Sequence, residues 1–396
     1  MIPEVLGYAF PNDIHIPWTL MVVLYPFLTG LVAGAFICSS FYHVFDRKEL
    51  APIARLSLVV SLCFLVTAPL PLLIHLGHPE RALNIVITPN FKSAMAGFGV
   101  VFSFYFVLVL LEIFFVFRRD VILLARRSRG LARWILKTLV LYTYDVSDEA
   151  LAADARIVRI LSGLGIPAAC LLHGYVGFIF GALKSNPWWS SPLMPIIFLF
   201  SAVVSGIALL IVLYQIAMKW RRTPIDQGCV LSMARWLWLF MIVTVSLEML
   251  EVITLAYERS EEWEVIGYLL GHQLSVSFIS IQLIAGSLIP FILLMVVTLM
   301  SGHMRSRLRN TLTFAASALL LVQVFAMRWN VVIGGQMFSK SLRGFRLDYA
   351  PGFFEREGTA VAIAICLLPF AILLVVNKIL PLWSQMTAGS GAGGGE

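Results

Sequence analysis

Nine apolar stretches, each long enough to cross a bilayer, make up most of this 396-residue chain. A helix needs roughly 20 apolar residues to cross a hydrocarbon core of about 30 Å. Lipid offers no partner to backbone polar groups, so each crossing must be helical. The stretches fall at about 17–45, 52–75, 93–117, 157–182, 193–218, 234–257, 266–300, 308–328 and 357–383. The fold class that follows is all-α, a polytopic membrane protein of about nine transmembrane helices. A composition of 60% hydrophobic and 13% charged residues excludes a soluble domain of this length. Residues 1–383 read as one integral membrane domain. Within it, 118–156 is an insert whose basic, amphipathic part lies along the membrane surface, closed by an acidic linker at 145–154. Residues 384–396 read as a flexible Gly-rich tail.

Lys and Arg set the orientation, because cytoplasmic loops carry the excess. With the N-terminus outside, 20 of the 29 Lys and Arg face the cytoplasm, among them Arg118, Arg119, Arg126, Arg127, Arg221, Arg222, Arg305 and Arg307. One outer loop, 329–356, is discordantly basic through Lys340, Arg343 and Arg346, as a docking surface for an acidic partner would be. The net charge of +7 sits mostly on the cytoplasmic loops and implies anionic lipid rather than nucleic acid. Met1–Asp13 is not basic and the first apolar run is too long for a signal peptide, so the first span is read as the insertion signal.

Five dispersed cysteines, with no C-x-x-C, supply no iron–sulfur or zinc framework. No span carries two of the seven histidines at helical spacing, so a membrane haem held by facing histidines is not expected either.

Polar side chains inside spans are costly and therefore informative. At about 1.5 Å per residue, Asp13 and His15 stand at the outer surface, His75 and Arg81 at the outer end of the second span, and His173 and Tyr175 in the outer half of the fourth. Arg328 closes the eighth. Glu248 and Glu251, three residues apart in the sixth span, share a helix face. Two such neighbouring carboxylates suit proton exchange near neutral pH. His173 and Tyr175 are two residues apart and cannot point the same way. Glu112 is the main buried acid toward the other face.

Several strings carry a resemblance. They are L-G-H-P-E-R from Leu76 to Arg81, H-G-Y-V-G from His173 to Gly177, P-W-W-S-S-P-L from Pro187 to Leu193, and M-R-W-N-V-V-I-G-G-Q from Met327 to Gln336. Together they resemble the polysulfide-reductase membrane-subunit family (NrfD-like or PsrC-like). The last string is most similar to the DsrP-type subunit of the membrane complex linked to dissimilatory sulfite reduction. The resemblance implies two four-helix bundles plus, here, an additional helix, in a prokaryotic cytoplasmic membrane. It implies a subunit without haem or iron–sulfur cluster of its own. Such a subunit exchanges electrons between menaquinone or another quinone and an extracytoplasmic, ferredoxin-like iron–sulfur partner, within a complex holding further membrane and redox subunits. Tyr175, Glu251 and Arg328 fall at the family's fourth-helix Tyr, sixth-helix acid and eighth-span Arg. Tyr25, Gln282 and His75 stand where some members carry acids, which departs from the pattern of an energy-conserving proton channel.

The reading that follows is a quinone pocket in the outer leaflet among spans one, two, four and six. Tyr175, His173 or His15 would hold the carbonyls and Glu251, beside Glu248, would move the proton, with Asp13, His75, Arg81 and Arg328 nearby. The alternatives are a secondary transporter and a redox-inactive anchor. Retention of quinone by the purified chain separates the first from both.

Overall fold

The computed structural model describes residues 15–258, 261–338, 342, 344–346 and 349–383. Among these, nine helices are long and apolar enough to span a membrane: Leu20–His43, Lys48–His75, Ala94–Arg127, Asp148–Gly181, Met194–Arg221, Gln227–Glu258, Ser275–Leu299, Ser306–Gln336 and Thr359–Ile379. In chain order these are the first to ninth spans. The described residues contain no β-strand beyond one isolated bridge between Phe338 and Phe345.

Several helix ends follow from local chemistry. Thr19, Ser93 and Ser147 cap the first, third and fourth spans, their hydroxyls accepting the amides of Met21, Met95 and Ala150. The second span is broken between Thr67 and Leu70, beside Pro69 and Pro71, which cannot donate to the helical ladder. The third and fourth spans outrun their apolar cores. The third continues to Arg127 and the fourth begins at Asp148, so much of the expected insert and most of its acidic linker is helix. Two ion pairs allow this: Arg118 to Asp154 at 2.7 Å and Arg55 to Asp120 at 2.9 Å satisfy charges that hydrophobicity alone would place outside the helices. The surface helix is the shorter Gly130–Leu139. The seventh span begins at Ser275, and the apolar residues before it form a separate helix, Glu261–Gly271.

Spans one to four pack into one bundle and spans five to eight into a second, while the ninth span lies against the second span. The bundles meet where the first span crosses the fifth. There the backbones touch: a Cβ on Gly34 would lie 2.1 Å from the Ala202 carbonyl oxygen, and one on Gly206 would lie 2.3 Å from the Gly34 carbonyl carbon. Only glycine at both positions permits that approach. One turn earlier, Gly30 lies against the His173 ring.

The first fourteen residues of the seventh span, Ser275–Leu288, form a π-helix. The Ser277 and Ser287 hydroxyls donate to the carbonyls of Leu274 and Gln282. A run of this length is unusual, since π geometry is mostly confined to single turns at functional positions. It carries Gln282 into the interior of the second bundle.

Candidate functional site

The second bundle holds a narrow, partly open pocket of about 40 Å³. Its walls are mostly apolar: Met194 and Ile197 from the fifth span, Val252 and Leu255 from the sixth, Phe278 from the seventh, Met327 and Val331 from the eighth. Trp188, from the connection between spans four and five, and Trp263, from the helix Glu261–Gly271, complete it. Four polar side chains enter: Glu248, Glu251, Gln282 and Asn330. An apolar slot with a few placed polar groups is the usual form of a small-molecule site.

Glu248 is the acceptor on which a hydrogen-bond chain converges. Gln282 Nε2 donates to its Oε2 at 2.9 Å, and Gln323 Nε2 donates to the same oxygen at 3.1 Å. Behind Gln282, Asn330 Nδ2 donates to Gln282 Oε1 at 2.7 Å, and Ser277 Oγ donates to Asn330 Oδ1 at 2.6 Å. Side chains of the sixth, seventh and eighth spans are thereby held together in one polar layer. Removing the carboxylate would leave two buried amide donors unpaired. Glu251, one turn on, is less committed. Its Oε1 is buried and has no hydrogen-bond partner among the described residues, although Ser191 stands beside the carboxyl. The pair predicted from the sequence thus divides into a fixed carboxyl and a less constrained one facing the same pocket.

Against the pocket wall lies a second buried constellation. Arg328 is fully buried within the eighth span, which continues past it to Val332; it does not end the helix as expected. Its Nη2 donates to Ser201 Oγ at 2.6 Å and to His173 Nε2 at 2.9 Å. The guanidinium carbon lies 3.8 Å from the Phe198 ring centroid. Arginine can only donate, so His173 Nε2 accepts and the ring's other nitrogen carries the proton. That Nδ1 has no partner among the described residues. Among the described ion pairs none involves Arg328. The four spans that meet here are the first, fourth, fifth and eighth.

The remaining predicted residues are not gathered at this pocket. Tyr175 faces the third span, donating its hydroxyl to the Ala94 carbonyl at 2.9 Å and lying beside Gly97 and Phe98. His75 pairs with Glu357 at 2.8 Å, and Thr19 donates to the same carboxylate, which ties the first two spans to the segment before the ninth. Burial would raise the Glu357 carboxyl, but hydrogen bonds from Thr19 and His75, with the positive charges of His75 and Arg356, hold it below its ordinary value. His15 and Arg81 are exposed. Asp13, Lys340 and Arg343 lie outside the described residues. Arg346 is half-buried and lines a groove with Trp18, Trp189 and Gln336.

Sequence reasoning did not single out Gln323, Asn330 or Ser277. Their signal was available, because amides at membrane depth are costly unless they bond one another. Depth along a helix is legible from sequence; the direction a residue faces around the bundle is not.

The fold and the buried layer define a polytopic helical membrane protein with a carboxylate-bearing pocket inside its second bundle. The chain belongs to the polysulphide reductase NrfD family, whose model matches residues 11–340. Among curated relatives, a selenate reductase subunit of Mesobacillus selenatarsenatis is 34% identical over 203 residues, which is 50% of this chain and 48% of the relative. Protein NrfD of Escherichia coli is 28% identical over 211 residues, 52% of this chain and 62% of the relative. The chain therefore spans about half to three-fifths of the length of these relatives. A more distant likeness runs nearly end to end. The Hdr-like menaquinol oxidoreductase integral membrane subunit of Archaeoglobus fulgidus is 22% identical over 386 residues, 93% of this chain and 86% of the relative.

Proposed function

We propose that this chain is the quinone-reactive membrane subunit of a respiratory iron–sulfur oxidoreductase complex. It exchanges electrons between menaquinone or another quinone and an extracytoplasmic, ferredoxin-like iron–sulfur subunit, in sulfur or sulfite metabolism of the DsrP kind. The chain lies in a prokaryotic cytoplasmic membrane with its N-terminus outside. The observation that carries the reading is the pocket of the second bundle. There Glu251 brings a carboxyl oxygen with no partner among the described residues to a slot walled by Trp188, Trp263, Phe278 and aliphatic side chains. The printed name of the near full-length Archaeoglobus relative, a menaquinol oxidoreductase subunit, supports the same class.

A quinone suits these residues, since its ring needs apolar and aromatic walls and its oxygens need polar groups that take or give protons. When bound, the quinone supplies two-electron, two-proton chemistry that no side chain of this chain provides. The Trp and Phe side chains orient the ring and exclude water. Glu251 holds and moves the proton at its unpartnered oxygen. Glu248 stays fixed by Gln282 and Gln323 and keeps the polar layer closed. Arg328, outside the lining, places a fixed positive charge behind it.

The test is Glu251→Gln in the assembled complex. The amide keeps the shape and cannot exchange the proton at neutral pH, so quinone should co-purify as in the wild type while quinol turnover falls by roughly 10²- to 10⁴-fold. Wild-type turnover with wild-type quinone content would place proton exchange elsewhere. Loss of quinone from wild-type protein would favour a transporter or an anchor.

A further inference from the structure

At the opposite end of the molecule a cleft of about 530 Å³ opens between the first four spans. Its walls come from two facing stripes at helical spacing. The third span contributes Phe115, Arg119 and Leu123; the fourth contributes Leu151, Ala155 and Arg159. Three aspartates also line it, and two are already neutralised: Asp120 pairs with Arg55, and Asp154 with Arg118. The third, Asp46, is at the exposed rim. Arg119 and Arg159 are exposed, and neither is in an ion pair among the described residues. His43 lines the same cleft, with a buried Nε2 that has no partner among the described residues.

The depth of Arg159 makes this informative. Arg118 meets Asp154, and Glu112 meets Ser162 through a 2.6 Å hydrogen bond from Ser162 Oγ, so the two helices run antiparallel in a fixed register. Arg159 is five residues beyond Asp154 along that register, roughly 7.5 Å farther into the apolar zone at 1.5 Å per residue. An exposed guanidinium there is expensive unless an anion comes to it or it reaches the interface.

We propose that this cleft binds the phosphate of a phospholipid headgroup, with Arg119 and Arg159 as the two cationic arms and the deeper apolar residues of the third span, Phe115 and Val116, receiving an acyl chain. Both sides of an amphipathic ligand are present. The arginines match a phosphodiester bidentately, and Phe115 and Val116, one turn deeper than Arg119 on the third span, offer a hydrocarbon surface leading away from it. Asp46 at the rim stands where the amine of a zwitterionic headgroup would pair.

The experiment is to purify the full chain in mild detergent and count phospholipids per chain by native mass spectrometry and by extraction. Arg119→Gln with Arg159→Gln should lower the affinity for the tightly held phospholipid by roughly thirtyfold, as two lost basic contacts at a membrane surface imply. Ala155→Trp, which fills the cleft and keeps the charges, should do the same. Arg221→Gln with Arg222→Gln, elsewhere on the basic face, should leave the count unchanged. Adding phosphatidylglycerol or phosphatidylethanolamine should raise the wild-type melting temperature and leave the double variant unmoved. Unchanged lipid in the two cleft variants would overturn the assignment. So would equal loss in the Arg221 and Arg222 control, which would mean a non-specific annulus. Stabilisation by inorganic phosphate alone would assign the cleft to a free anion and overturn the lipid reading.

Discussion

Gly206→Ala tests how the two bundles are joined. The added methyl would lie 2.3 Å from the Gly34 carbonyl carbon and 2.4 Å from its Cα, both backbone atoms that cannot rotate away. Carbon atoms rest at about 3.5 Å or more, so the first and fifth spans must separate by roughly 1.2 Å. Overpacking of a tight core costs about 1–3 kcal/mol. Replacing glycine by alanine in a helix returns up to about 1 kcal/mol. Since the clash falls on backbone, the upper part of the first range applies, and the net loss is about 2 kcal/mol, a fall of roughly 2 °C in melting temperature for a chain of this length. Gly163 is the control. It lies in the fourth span and a Cβ there meets nothing within 4 Å, so Gly163→Ala gains the helix preference without the clash. The assay is thermal unfolding followed by a thiol-reactive dye. Cys38, one turn from Gly34, is 1% exposed in the closed seam. Gly206→Ala should melt earlier and label Cys38 earlier, while Gly163→Ala should melt as the wild type or later. Equal melting of Gly206→Ala and wild type, with Cys38 protected, would show that backbone contact at this crossing is not what holds the bundles together.

Two further outcomes are expected. Tyr175→Phe removes a hydroxyl bonded to the Ala94 carbonyl and keeps the ring, so stability should fall by only about 1 kcal/mol. Turnover should hold, and a tenfold to hundredfold loss of quinone affinity would instead move the ring-binding site to the interface of spans three and four. Glu357→Gln should lower stability at neutral pH by about 1 kcal/mol, because its carboxylate accepts from Thr19 and His75. Its folded-state pKa is depressed, so that stabilisation is present above the unfolded carboxylate value and is lost as pH falls through the folded one. Melting temperature against pH should converge for wild type and variant in acid, and parallel curves would exclude the linkage.

Nine crossings were legible because an apolar run of that length has no other structure in lipid. Their ends were less so. Arg118 and Asp154 read separately as the start and end of a polar insert, yet paired they let two helices run on past the apolar zone. Residues 266–270 read as the start of the seventh span; Ile266 and Leu270 instead complete a pocket wall from a separate helix. Glu248 and Glu251 were legible as a site because their spacing fixes a shared face. The partition of His173 from Tyr175 was legible for the same geometric reason, but which neighbour each would meet was not. The fourth span touches the third on one side and the fifth on the other, and sequence spacing does not say which lies where. The π-helical stretch has no compositional signature, so the inward placement of Gln282 was not legible.

The buried Arg328 also bears on biogenesis. On its own helix its guanidinium finds only the weak Met327 sulfur, whereas its stronger acceptors in the folded molecule, His173, Phe198 and Ser201, lie on the fourth and fifth spans. Both precede it in the chain, so a membrane-inserting nascent polypeptide has already placed them when the eighth helix emerges. The eighth helix can then leave the insertion machinery directly into a polar notch instead of carrying a bare cation into hydrocarbon. Assembly of the second bundle is thereby tied to the fourth span of the first, and a chain that lost that span would leave Arg328 with its fifth-span acceptors alone.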